Sequence, residues 1–213
     1  MATSERIQAR DGADLTVVPR ERRGGQPRRA TVPVPIPGQD EETTTQRAII
    51  PLTIRISSGT GTGLTRLAAF DAALRDAGVG NYNLVRLSSV IPPRSMVLEV
   101  KGSQQVTGVH GDRLYCVYAE AYASSALEQA WAGVAWSTRD DGSGEGLFVE
   151  HAASSEATVR HDLDLSLSEL SRGRGDSFVD AGRQVTSAVC VDHPVCALVI
   201  ATYRTVPWSD DER

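Results

Sequence analysis

Two neighbouring serines, Ser88 and Ser89, are the residues in this chain best placed to act on their own backbone. A serine pair carries no information by itself, since Ser57-Ser58, Ser124-Ser125 and Ser154-Ser155 are also present. The surroundings of Ser88-Ser89 differ. The pair lies within Gly80-Asn-Tyr-Asn-Leu-Val-Arg-Leu-Ser-Ser-Val-Ile-Pro-Pro93, a strand-like apolar run that halts at two prolines. The Ser89 hydroxyl could attack the Ser88 carbonyl and move the acyl group from nitrogen to oxygen. β-Elimination would release the Ser88 carboxylate and leave dehydroalanine at position 89. Tautomerisation and hydrolysis would then expel ammonia and leave a ketone on the new chain end. A relaxed peptide resists this sequence of steps. The fold must therefore strain the bond, a reservoir typically of about 1–3 kcal/mol, and supply donors to the oxyanion.

The elements that would hold this segment can be read from periodicity. Ile49 to Ser57 reads as a strand, Ser57-Ser-Gly-Thr-Gly-Thr-Gly63 as a glycine-rich loop, and Leu64 to Ala77 as a helix with Leu67, Phe70, Leu74 and Ala77 on one face. Asp71 lies near that face, and Gly78 and Gly80 end the helix. Leu84 to Ile91 reads as one strand, stopped by Pro92-Pro93, and Met96 to Val100 as another. Further strands are expected over Leu114 to Tyr122, Ala130 to Trp136 and Gly146 to Ala152. Ser155 to Leu170 reads as a helix with an apolar stripe of Val159, Leu163, Leu167 and Leu170. Val185 to Val191 and Val195 to Val206 close the domain, joined by a turn at Asp192-His193-Pro194. Many strands with two good helices make an α+β domain. The glycines of the loop invite a phosphate-cradle reading, but they lack both the GxGxxG spacing and a P-loop lysine, so a turn is expected.

Residues 1–46 differ in composition. Arg20, Arg22, Arg23, Arg28 and Arg29 surround Gly24 and Gly25, and Pro33-Val-Pro-Ile-Pro37 follows. Such a segment buries too little apolar surface to offset its ordering entropy, and it is expected to be a flexible extension with a polyproline-like piece. The domain is expected over 47–206, with a short tail at 207–213.

Composition narrows the function. The 213 residues are 40% hydrophobic and 23% charged, as in soluble globular proteins, and the net charge of −5 disfavours a nucleic-acid partner. No apolar stretch approaches the ~20 residues that cross a bilayer, and no leader-like apolar run is seen, so a cytoplasmic protein without a membrane partner is expected. Cys116, Cys190 and Cys196 form no metal-binding spacing and read as buried thiols, so no metal is expected. Lys101 is the only lysine, so a pyridoxal-phosphate enzyme would have a single candidate for its Schiff base, in a polar stretch without a phosphate loop. An electron sink for amino-acid chemistry must come from elsewhere.

The segment from Gly80 to Pro93 closely resembles the self-processing segment of pyruvoyl-dependent arginine decarboxylases. The resemblance continues in Leu67-Ala-Ala-Phe-Asp-Ala-Ala-Leu74, Ala77-Gly-Val-Gly80, Gly146-Leu-Phe-Val-Glu150 and, more weakly, Val189-Cys-Val-Asp-His193, covering roughly residues 50–206. It implies cleavage between Ser88 and Ser89 into a β chain ending at 88 and an α chain beginning at 89, with a covalent pyruvoyl cofactor made from Ser89. It implies a four-layer α-β-β-α sandwich assembled as a homotrimer with active sites between neighbours. The implied reaction is decarboxylation of arginine to agmatine, with Glu150 as proton donor, Asp71 receiving the guanidinium, and Asn83 and Ser88 near the small-molecule substrate. A half-buried carboxyl beside apolar residues should have a raised pKa, which suits a donor near neutral pH. His151-Ala-Ala after Glu150 departs from the acidic residue and glycine frequent in the family, as do the loop after Pro93 and the tail after Tyr203. These departures bear on the exact substrate more than on the chemistry; the alternatives are another amino acid as substrate by the same mechanism, or an uncleaved, non-catalytic trimeric relative.

Overall fold

Period-two alternation organises the long strands. In β9 (Val195–Val206), Val195, Ala197, Val199, Ala201 and Tyr203 join one core cluster, whereas Cys196, Leu198 and Ile200 join another. Both faces of that strand are covered, which is why its sequence is apolar almost throughout. The structure, a computed structural model, describes residues 51–174 and 177–208. The extension expected over 1–46 lies outside these residues, as does the tail beyond 208.

The chain order is β1 (Leu52–Thr62), α1 (Arg66–Asp76), β2 (Asn83–Arg86), β3 (Val90–Ile91), β4 (Ser95–Glu99), β5 (Arg113–Ala123), β6 (Gln129–Arg139), β7 (Gly146–Ala153), α2 (Glu156–Gly173), β8 (Phe178–Val189) and then β9. Five strands form one sheet in the order β2-β5-β9-β1-β4, and four form a second in the order β3-β7-β6-β8. The inner faces meet through Ile54, Ile56, Val117, Ala132, Val134, Trp136 and Phe148. Helix α1 covers the outer face of the first sheet through Ala69, Ala73 and Leu74. Helix α2 covers the outer face of the second through Val159, Leu163 and Leu167. The fold is thus a mixed α/β sandwich of two sheets and two helices.

Local signals explain the helix starts. The Thr65 hydroxyl accepts from the Ala68 N–H at 3.1 Å, and the Ser155 hydroxyl from the Thr158 N–H at 3.2 Å, each satisfying a donor that the helix cannot. The expected stripes are partly right. Leu67 is 76% exposed and Leu170 is 42% exposed, so α1 buries small alanines rather than Leu67. Cys116, Cys190 and Cys196 are buried and free, and no helix among the described residues is long and apolar enough to cross a membrane.

Two expectations are corrected. The glycine-rich segment is no loop: Gly59 and Gly61 continue β1, paired with Leu198 and Cys196 of β9. A Cβ on Gly61 would overlap the Ala69 carbonyl oxygen and the Ala73 nitrogen, and one on Gly59 the Ala73 carbonyl oxygen. The glycines let α1 lie directly on the strand. Gly61→Ala is therefore expected to lift α1 and cost about 1–3 kcal/mol, as overpacking does, read as a lowered urea midpoint with the m-value unchanged.

The second correction concerns Leu84 to Ile91. It is two strands in different sheets: β2 pairs with β5 in parallel, and β3 pairs with β7 antiparallel. The break falls on Ser88-Ser89. Ser89 has φ 67°, a left-handed conformation that no strand can carry through. The apolar run hid this break because residues on either side of it are buried against different neighbours.

Candidate active site

The site is built where the chain crosses between the sheets. On entry, the Leu87 N–H donates to the Cys116 carbonyl at 2.9 Å, prolonging the β2–β5 ladder. On exit, the Phe148 N–H donates to the Ser89 carbonyl at 2.8 Å, and Val90 pairs with Leu147. The Tyr203 hydroxyl, reaching from β9, donates to the Val90 carbonyl at 2.9 Å. Ser88 is exposed between these anchors. A left-handed serine costs roughly 1–3 kcal/mol and persists only where its surroundings impose it. Here the anchors on both sides do so.

Alternation along β7 decides what faces Ser89. Phe148 belongs to the inner cluster, whereas Val149 packs under α2. Glu150 therefore shares the inner side with Phe148. The Ser89 hydroxyl donates to Glu150 Oε1 at 2.6 Å. Burial raises the Glu150 pKa above its ordinary value, while the Ser89 hydroxyl, the Arg86 charge and, least, His151 pull it down. His151 lies on the other side of the strand, with Nε2 2.7 Å from Ser166 Oγ on α2, and it acts on Glu150 only through charge, as the weakest of these influences.

Arg86 is the main cation acting on Glu150. It stands over the Tyr118 ring at 4.7 Å and donates to the Tyr118 carbonyl at 3.0 Å. Its positive charge favours the carboxylate. Arg86→Ala should therefore raise the Glu150 pKa further and move the alkaline fall of any activity that needs a protonated Glu150 to higher pH. A pH–rate profile of the variant checks this; a shift in the opposite direction would contradict it.

Of the residues picked out from the sequence, the structure brings Ser88, Ser89 and Glu150 together. Asp71 and Asn83 make no hydrogen bond or ion pair with them among the described residues. Asp71 is half exposed on α1 and pairs with Arg75 one turn on, at 3.3 Å. Asn83 donates through Nδ2 to the Gly111 carbonyl at 2.6 Å, and its own N–H donates to Asp112 O at 2.8 Å. Trp208, within the expected tail, donates to the same Gly111 carbonyl at 2.9 Å. Periodicity missed Tyr203 and the Phe148 N–H. The local sign of the first was a phenol just after an apolar run; a backbone N–H leaves none.

This arrangement suits a ketone formed from Ser89. The Ser89 carbonyl, which would stand next to the ketone, already receives a donor from Phe148, and a half-buried acid accepts from the Ser89 hydroxyl. Residues 53–205 match the family described as pyruvoyl-dependent arginine decarboxylase. A protein of Halobacterium salinarum with that name is 37% identical over 154 residues, covering 70% of this chain and 92% of its own length. One of Methanopyrus kandleri with the same name is 34% identical over 140 residues, covering 65% of this chain and 86% of its own. One of Methanocaldococcus jannaschii, also so named, is 45% identical over 49 residues, covering 23% of this chain and 30% of its own.

Proposed function

Because this chain belongs to the pyruvoyl-dependent arginine decarboxylase family, we propose that it cuts itself between Ser88 and Ser89 and uses the resulting group to convert arginine to agmatine and carbon dioxide. The observation that carries this reading is a serine held at φ 67° with its hydroxyl 2.6 Å from a half-buried carboxyl.

The cut consumes one water and releases one ammonia. The Ser89 oxygen bonds to the Ser88 carbonyl carbon, the Ser88–Ser89 C–N bond breaks, and the Ser89 nitrogen takes a proton. Glu150 receives the hydroxyl hydrogen bond that aims the oxygen. Loss of the Ser89 α-proton then breaks the Cβ–O bond, so the hydroxyl oxygen leaves within the Ser88 carboxylate. Water replaces the nitrogen, which departs as ammonia. When complete, the pyruvoyl group supplies a ketone for the substrate amine and an adjacent carbonyl that accepts the electrons released with carbon dioxide.

Maturation also changes Glu150. The Ser89 hydroxyl is the first of the influences holding its pKa down, and the cut removes it. Burial then acts against less opposition, and the acid is better protonated when a carbanion has to be quenched. The Phe148 N–H stays on the carbonyl that takes up charge, a fixed donor of the kind that stabilises oxyanions.

Asp71 takes the substrate guanidinium in this reading. Its present partner Arg75 is an exposed neighbour on the same helix, a kind of pair worth only about 0.3–0.5 kcal/mol. A bidentate carboxylate–guanidinium contact in a closed site is stronger and displaces it. Asp71 makes no hydrogen bond or ion pair with Ser89 or Glu150 in its own chain, as expected of a homotrimer whose sites lie between protomers. Asn83 and Ser88 complete the substrate surround.

Intact mass spectrometry tests the reading. The expected result is two chains, 1–88 and 89–213, the second lighter by the mass of one ammonia than simple hydrolysis would leave it. A panel of amino acids assayed for carbon dioxide release should single out arginine. One unbroken chain, or a second fragment with an ordinary serine amino terminus, would overturn the reading.

A further inference from the structure

Tyr203 occupies an irregular position in β9. Its neighbours pair with β5 as Thr202 with Cys116 and Arg204 with Tyr115, so Tyr203 is an extra residue with no partner across the ladder. Such bulges bend a strand and re-aim a side chain. The side chain here turns into the space between the sheets, where it is 6% exposed and its ring meets Phe148 edge-on at 6.2 Å and 69°. Its hydroxyl ends on the Val90 carbonyl.

The bulge places two anchors side by side. Cys116, at the edge of the bulge, accepts from the Leu87 N–H, and Tyr203 donates to Val90. The crossing from Leu87 to Val90 is therefore pinned at both ends to neighbouring strands of the first sheet. Phe148 pins the Ser89 carbonyl from the second sheet. With the ends fixed, Ser88 and Ser89 have little freedom to relax out of the left-handed turn. Phenols prefer to donate when buried, and burial with the nearby Glu150 charge keeps this one protonated and able to do so.

We propose that Tyr203 is a positioning residue for self-cleavage: its hydroxyl holds the Val90 carbonyl and so keeps Ser89 in the conformation from which its oxygen attacks the preceding bond. This rests on the cleavage reading above and adds a residue to it. The phenol exchanges no proton with the reacting atoms. It acts through the Val90 peptide plane, one residue beyond the new chain end.

The test follows precursor made by cell-free synthesis, sampled over time and read by intact mass. Tyr203→Phe keeps the ring against Phe148 and loses only the hydroxyl. It is expected to cut at least tenfold more slowly than the unsubstituted chain. Thr202→Val is the control for stability: it removes a buried hydroxyl one residue away that donates to Gln105 Oε1 at 2.7 Å, with the Arg55 carbonyl as an alternative acceptor at 3.2 Å, and neither acceptor belongs to the crossing. It is expected to lower the melting temperature yet cut at the unsubstituted rate. Tyr203→Phe cutting at the unsubstituted rate would overturn the proposal. So would equal slowing in both variants, since that would follow lost stability rather than lost positioning. If the unsubstituted chain itself never cuts, the cleavage reading fails instead.

Discussion

Ser89→Ala is expected to remain one chain under conditions in which the unsubstituted protein cuts to completion, and to release no carbon dioxide from arginine. The oxygen that would attack the Ser88 carbonyl is gone. Ser89→Gly should also stay whole, but it separates chemistry from strain. Ser89 has φ 67°, which glycine adopts freely and alanine does not. The glycine variant should therefore be more stable than the alanine variant, by about 1 kcal/mol. Intact mass and denaturant midpoints of the two variants check both points. Cutting of either variant at the same place would show that the hydroxyl is not the nucleophile.

Glu150→Gln has the second large effect, and it falls on a different step. Glutamine keeps an oxygen able to accept from the Ser89 hydroxyl, the contact seen at 2.6 Å. Cleavage should therefore survive. A glutamine amide cannot act as the proton donor, so kcat for decarboxylation should fall by roughly 10²–10⁴. A variant that neither cuts nor turns over would place Glu150 in processing as well. The same substitution carries a stability signature. Glu150 has a raised pKa in the folded protein, so the fold binds this proton more tightly than the unfolded chain does. Its contribution is present below the ordinary carboxylate range and is lost as pH rises through the folded pKa. Glu150→Gln should flatten that part of the stability–pH curve.

Much of this was legible in the sequence, for identifiable reasons. Strands β5, β6, β7 and β9 and helix α2 announced themselves because alternation or helical spacing coincided with burial. Ser88-Ser89 stood out by its surrounding segment and Glu150 by the family resemblance, and the structure puts the Ser89 hydroxyl on the Glu150 carboxyl. What failed depended on contacts between distant segments. Gly59 and Gly61 read as loop because nothing local reveals that a helix will lie against them. Leu84 to Ile91 read as one strand because a change of sheet leaves no trace in hydrophobicity. The placement of Tyr203 was hidden because a bulge is a relation between two strands, Tyr115 and Cys116 on one side and Thr202 to Arg204 on the other. Asp71 and Asn83 keep their local partners, Arg75 and Gly111.

The position of β1 bears on what a cut at position 88 would leave behind. β1 lies inside its sheet, joined to β4 from Leu52 to Ile56 and to β9 from Arg55 to Thr62. Both neighbours come after the cut, whereas β1, α1 and β2 come before it. The shorter piece would then serve as a central insert in the longer one, held by two ladders and by the packing of α1. Severing the covalent link would not loosen the protein, but it would change the molecularity of its denaturation. Each protomer would melt into two polypeptides, its own folding would depend on protein concentration, and reassembly even of a single protomer would have to begin with an encounter.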